Sequence, residues 1–209
     1  QKLPAFNVYN LCIITPSDFR PILDKFFDEP ETVEEIVSSI HKSAKGIADI
    51  ITTPLLLTLL TITYKGYNKI PESPHEFYEK LFPLLVHRHD STKPGFVREY
   101  KSQLNDAFCF YCSLSNKVTL SRKEAFREAE NAEKITKIKA ESQVSFMRDC
   151  VSNTCLVVEE GYEFHFIHKS IREYHAAKFI SDRGISLKQK FYNKAAENYH
   201  QYKEELKYT

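Results

Sequence analysis

Residues 162–180 read YEFHFIHKSIREYHAAKFI, and the change of rhythm inside them decides the fold. Tyr162, Phe164 and Phe166 alternate with Glu163 and His165, the period of two expected of a strand with one buried face. Beyond His168-Lys169-Ser170 the apolar positions move to helical spacing, at Ile171, Tyr174, Ala177 and Phe179. A strand therefore feeds directly into a helix. A side chain at such a junction is held rigid from both sides, so His168 is the first candidate functional residue.

Working backwards, Glu160-Gly161 reads as a tight hairpin turn joining residues 155–159 to this strand. Val144, Phe146, Met147 and Val151 mark a helix before the hairpin. Ser121 with Glu124 forms a capping box that opens another helix, whose stretch 127–139 is polar enough to predict a solvated and interrupted end. Val118-Thr119-Leu120 is a short extended piece. Val97, Tyr100, Leu104, Ala107, Phe108, Tyr111 and Leu114 fall on one face of a long helix. Three helices followed by a two-stranded wing predict a winged-helix domain over residues 93–184.

The polar, turn-forming run DSTKPG at 90–95 is the expected domain junction. Ahead of it, residues 1–92 predict a strand at 6–11 and then a helical bundle. Thr15-Pro16-Ser17-Asp18 opens a helix carrying Phe19, Ile22, Leu23 and Phe26. Thr32 with Glu35 reads as a capping box before one stripe from Val33 to Ala48. Thr53-Pro54 starts the next helix, and Ser73 with Glu76 starts a last one with Pro83 inside it. Residues 185–209, rich in Lys, Tyr and Glu, either begin a further helical region or lie partly disordered. The fold class is mainly α: a helical bundle followed by a winged-helix domain with a small β-hairpin.

The bulk numbers exclude several functions. With 29 basic and 28 acidic side chains the formal net charge is +1, without the basic surplus of a nucleic-acid-binding surface or a membrane-surface module. The longest apolar run, 54–62, is too short to span a bilayer. Five cysteines, an odd number without a leader segment, point to free thiols in a reducing cytoplasm. The start at Gln1 rather than Met suggests a piece of a longer protein.

The stretch around His168 resembles the end of the winged-helix domain of NACHT-type signalling NTPases, in which F-x-H-x-S-h-x-E-Y-x-A-A recurs (h, apolar). Phe166, His168, Ser170, Ile171, Glu173, Tyr174, Ala176 and Ala177 stand at its positions. A second matching motif is Thr53-Pro54-Leu55-Leu56-Leu57. In NACHT and related proteins a helix opening with Pro-Leu-Leu packs beside the nucleotide base. Proline at a helix start leaves no N–H unsatisfied, and its flat ring suits a purine face. The plain reading of Pro54 and Leu55 is the first turn of a buried helix, and that of His168 is a histidine satisfied at its own strand–helix turn.

The resemblance covers most of residues 6–182, and it implies a regulatory module. His168 would reach the β-phosphate of bound ADP, Pro54 and Leu55 would lie against the base, and the domain would close over the nucleotide. A partly protonated ring would add charge attraction. Lys169 and Arg172 read as solvated residues at a helix start. ADP or ATP, the latter with Mg²⁺, would belong to the parent protein. Its partners would be its own N-terminal NTPase core, a C-terminal sensor region and further copies on activation, in cytoplasmic innate-immune or anti-phage signalling.

The segment itself carries no G-x-x-x-x-G-K-[ST], no G-x-S-x-G and no H-E-x-x-H, so it is expected to be catalytically silent. Cys109-Phe110-Tyr111-Cys112 spells C-x-x-C, with Cys150 and Cys155 as remote companions. The apolar stripe around the first pair favours buried thiols over zinc. His87-Arg88-His89-Asp90 fits a helix C-terminus better than a metal site. His165 is expected to be exposed on the wing. Two other functions fit the same elements: a winged-helix DNA-binding regulator, for which 142–150 would be the recognition helix with Arg148 as its single base, and a helical interaction adaptor.

Overall fold

The computed structural model describes residues 13–43, 46–90, 98–154 and 157–209, except for the side chains of 86–90 and 98–101. The expected strand at 6–11, Cys12, Cys155, Val97, Tyr100, the 87–90 cluster's side chains and most of the 90–95 junction lie outside that description. The chain is mainly helical with one small antiparallel sheet, and it forms two compact units, Gln1–Leu84 and Leu85–Thr209.

The first unit contains α1 (Phe19–Leu23), α2 (Pro30–Lys42), α3 (Ile47–Ile50), α4 (Pro54–Tyr67) and the start of α5 (Pro74–Asp90). Thr15 caps a 3₁₀ turn, Pro16–Asp18, by exchanging hydrogen bonds with Asp18 before α1 begins. Phe19, Leu23, Val33, Ile36, Ile40, Leu56, Leu57, Leu60 and Phe77 form the core of this unit. α2 begins at Pro30 rather than at a Thr32–Glu35 box. Proline presets the helical φ and gives up no hydrogen bond at the first position, so it overrides the weaker signal two residues on. The stripe to Ala48 is broken as well: α2 ends at Lys42, and Gly46 takes φ 81° before α3. Ser73 Oγ accepts the Glu76 N–H at 3.2 Å, as expected, but the Glu76 carboxylate reaches back to Glu72 N–H (2.6 Å) instead of Ser73.

The second unit runs α6 (Arg98–Leu114), β1 (Thr119–Ser121), α7 (Arg122–Thr136), α8 (Gln143–Ser152), β2 (Val157–Glu160), β3 (Glu163–Phe166), α9 (Lys169–Ser181), α10 (Ile185–Glu197) and α11 (Tyr199–Tyr202). A 3₁₀ turn, Glu205–Lys207, ends it. The expected hairpin is a three-stranded antiparallel sheet of order β1-β3-β2. Leu120 pairs opposite Phe164 with both side chains buried, so β1 is held by the same apolar face as the hairpin. Glu160 pairs with Glu163, which makes the turn Gly161-Tyr162 rather than Glu160-Gly161. Gly161 supplies the positive φ of 61°, and Tyr162, expected on the buried strand face, is 86% exposed at the tip.

α7 continues unbroken through the polar stretch to Thr136 and stops where Lys137 turns left-handed. Buried Ala125, Ala129 and Ala132 give it a narrow apolar edge that close packing can use. Phe108 sits at the middle of this unit, edge-on to Phe146 at 5.4 Å and tilted against Phe166 at 6.0 Å. α6 and α9 pack along each other, with Phe110 and Phe179 ring centroids 5.0 Å apart. Residues 185–209 fold onto this pair through buried Phe191, Ala195 and Tyr202. Among the described residues no helix is long and apolar enough to cross a membrane.

Candidate functional site

β3 delivers the chain to His168, and the histidine is the N-cap of α9. Its backbone is extended (φ −155°, ψ 139°), and its Nδ1 accepts the Ser170 N–H at 3.2 Å and faces Ser170 Oγ at 2.6 Å. The N-terminal N–H groups of a helix have no partner of their own, which is why an acceptor here is needed. Nδ1 acts as that acceptor only when it carries no proton. The neutral ring then bears its proton on Nε2, which makes no hydrogen bond among the described residues. The ring is half-buried, and that desolvation pushes its pKa below the ordinary histidine value. Burial therefore works against the partly protonated ring expected from the sequence.

One turn further, α9 departs from an amphipathic helix. Arg172, Glu173 and His175 are buried along with the apolar residues. Arg172, expected at the surface, is 1% exposed. Its Nη1 donates to the Lys117 carbonyl at 2.7 Å, in the turn between α6 and β1. Its Nη2 lies 3.9 Å from both Glu173 and Glu205. Glu205, fully buried in the last 3₁₀ turn, accepts a short hydrogen bond from Ser113 Oγ of α6. Lys169, solvated as expected, reaches Glu173 at 3.0 Å. Burial still raises the Glu173 pKa, with the Lys169 hydrogen bond opposing it. A second sealed pair, His175 Nδ1 to Asp106 Oδ1 at 2.6 Å, ties α9 to α6 deeper in the unit.

Sequence reasoning missed this junction. The available signal was negative: residues 169–181 place Arg, Glu and His between apolar positions on every side, so no face of the helix is plainly polar.

Pro54 and Leu55 share the first turn of α4 in the other unit. Thr53 Oγ1 caps it, accepting the Leu56 N–H at 3.2 Å, and Thr58 Oγ1 donates to the Pro54 carbonyl at 2.9 Å. Leu56 and Leu57 are wholly buried, whereas Pro54 is exposed and Leu55 is 39% exposed. The turn thus offers a small, stiff apolar surface outward while its next residues anchor it.

The remaining candidates are quieter. Cys109, Cys112 and Cys150 are buried thiols, and burial holds Cys109 and Cys112 well above the usual thiol range. Among the described residues no group of three or more His, Cys, Asp or Glu is placed to hold a metal. His165 is not simply exposed: Thr119 Oγ1 lies 3.1 Å from its Nδ1 across the sheet, and Glu163 lies 3.9 Å from its Nε2. An open depression of about 440 Å³ in the first unit is lined by Glu35, Ser39, Lys42, Tyr64 and Glu72. Another, of about 1220 Å³, runs along α7 and mixes Lys123, Arg127, Lys137 and Lys139 with Glu130 and Glu133. No protein-family model and no curated protein sequence matches the chain.

Proposed function

We propose that the chain is the helical and winged-helix part of a NACHT-type signalling NTPase, a regulatory module that closes over ADP supplied by an adjoining nucleotide-binding core. The observation that carries this reading is the state of His168. Its Nδ1 is engaged by its own helix, burial lowers its pKa, and its Nε2 is left to serve as a donor. Such a donor suits a phosphate oxygen through a neutral hydrogen bond. The succession helix, strand, helix, helix and paired strands in the second unit supports the winged-helix reading. The outward Pro54–Leu55 turn supports contact with a nucleobase. The module acts in the cytoplasm by restraining the parent protein, and ATP with Mg²⁺ in place of ADP favours the rearranged, self-assembling form.

A DNA-reading winged helix fits less well. α8 has Arg148 against Asp149, and the wing carries Glu159, Glu160 and Glu163, all exposed. The deciding experiment measures ADP release from the full-length protein. His168→Ala is expected to speed release about three- to tenfold, the worth of one hydrogen bond, and to increase assembly. His168→Asn keeps an N-cap acceptor, so it separates capping from nucleotide contact. Unchanged release in both variants removes His168 from the mechanism.

A further inference from the structure

We infer that Glu205, through Arg172, is a positioning residue for the His168 turn, so that the end of the C-terminal segment sets the geometry of that histidine. Arg172 stands four residues after His168, at the end of the first turn of α9 that His168 caps, so the two share that turn's backbone. Its guanidinium is fixed at three points: the Lys117 carbonyl, Glu173 on its own helix and Glu205. Glu205 in turn is anchored to α6 by Ser113, whose carbonyl also accepts from Gln201 Nε2 at 3.4 Å. Tyr208 closes edge-on against Tyr174 at 5.8 Å. Three pieces of chain far apart in sequence, around 113–117, 172–174 and 201–208, therefore meet around one buried cation.

The junction is sensitive because it is not fully satisfied. Arg172 Nε and Glu205 Oε2 are buried without a hydrogen-bond partner. The charges balance only while Glu205 stays in place, since removing one partner of a buried pair leaves an uncompensated charge. Without Glu205 the guanidinium keeps the Lys117 carbonyl and a Glu173 carboxylate already shared with Lys169, and the repacking that follows moves the first turn of α9 with its histidine cap. The coupling itself stands on this geometry alone; its consequence for nucleotide release rests on the function proposed above.

The test compares the chain with Glu205→Gln, with Ser113→Ala, and with the apolar pair Arg172→Met/Glu205→Leu. Two readouts are used: the His168 imidazole titration by NMR and hydrogen exchange at the Ser170 amide. Glu205→Gln is expected to move the His168 titration up toward the ordinary histidine value and to speed Ser170 exchange about tenfold or more. Exchange in the sheet should be unchanged. Ser113→Ala should act in the same direction, about threefold. The apolar pair, which removes both charges, should restore wild-type behaviour. Should Glu205→Gln fail to fold, the other two variants decide the matter. Fast exchange confined to residues 185–209, with His168 and Ser170 unmoved, overturns the inference. In the full-length protein Glu205→Gln should speed ADP release as His168→Ala does. A shifted His168 with unchanged ADP release in both variants leaves the coupling standing and overturns the nucleotide reading.

Discussion

His168 caps α9 through Nδ1, and pH bears on that duty. Burial lowers its pKa in the folded chain relative to the unfolded value near 6.5, so between the two the unfolded chain binds more protons. The associated stability is fully present above about pH 6.5 and is lost as pH falls through the folded pKa. The thermal midpoint, followed from pH 8 to pH 5, should decline over this window. His168→Asn should flatten that part of the curve while keeping the cap; an unaltered curve would mean that other groups carry the decline. The strand–helix junction at His168 was legible because a change of period marks the switch. Arg172 and Glu205 were not, because nothing local in a sequence says that a charge will find its counter-charge 33 positions later (205 − 172).

At the scale of elements, caps were read more surely than stripes. Thr53 and Ser121 cap the helices expected of them, since a side-chain acceptor followed by helix-forming residues is a local signal. Thr32 failed because Pro30 competes for the same helix start and leaves Thr32 inside the first turn rather than at the cap position. The contrast is measurable. Ser121→Ala should destabilise the second unit by about 1 kcal/mol in urea unfolding, whereas Thr32→Ala, which removes no cap, should cost little. The β2–β3 turn offers another check. Gly161 holds φ 61° with open space where a Cβ would stand, so the penalty there is backbone strain alone. Gly161→Val should cost about 1–2 kcal/mol and Gly161→Asn distinctly less. Equal costs would mean that the turn changes type when substituted.

For the molecule as a whole, the sequence foretold the mainly helical class better than it foretold depth. The tail illustrates the gap. Its Lys, Tyr and Glu texture hides the three residues, Phe191, Ala195 and Tyr202, that seat it on the second unit, and a buried Glu is the opposite of what its composition suggests. Phe108 is the packing centre that joins α6, α8 and the sheet. Phe108→Ala should therefore cost about 3–5 kcal/mol and unfold the sheet and the helices of this unit in one cooperative step, with circular dichroism and tyrosine fluorescence falling together. Near-zero net charge and an acidic β2–β3 hairpin make a further expectation: duplex DNA should not shift with this chain at physiological salt. A shift that weakens steeply with added salt would revive the DNA-reading alternative.

Cys109 and Cys112 give this unit a built-in clock. Both sulfurs are sealed in the middle of α6 and strongly resist ionisation, so an alkylating reagent cannot reach a thiolate until the helix parts from its neighbours. Under conditions where labelling outpaces reclosure, the rate at which the reagent captures Cys109 and Cys112 equals the rate of opening, read out without any substitution.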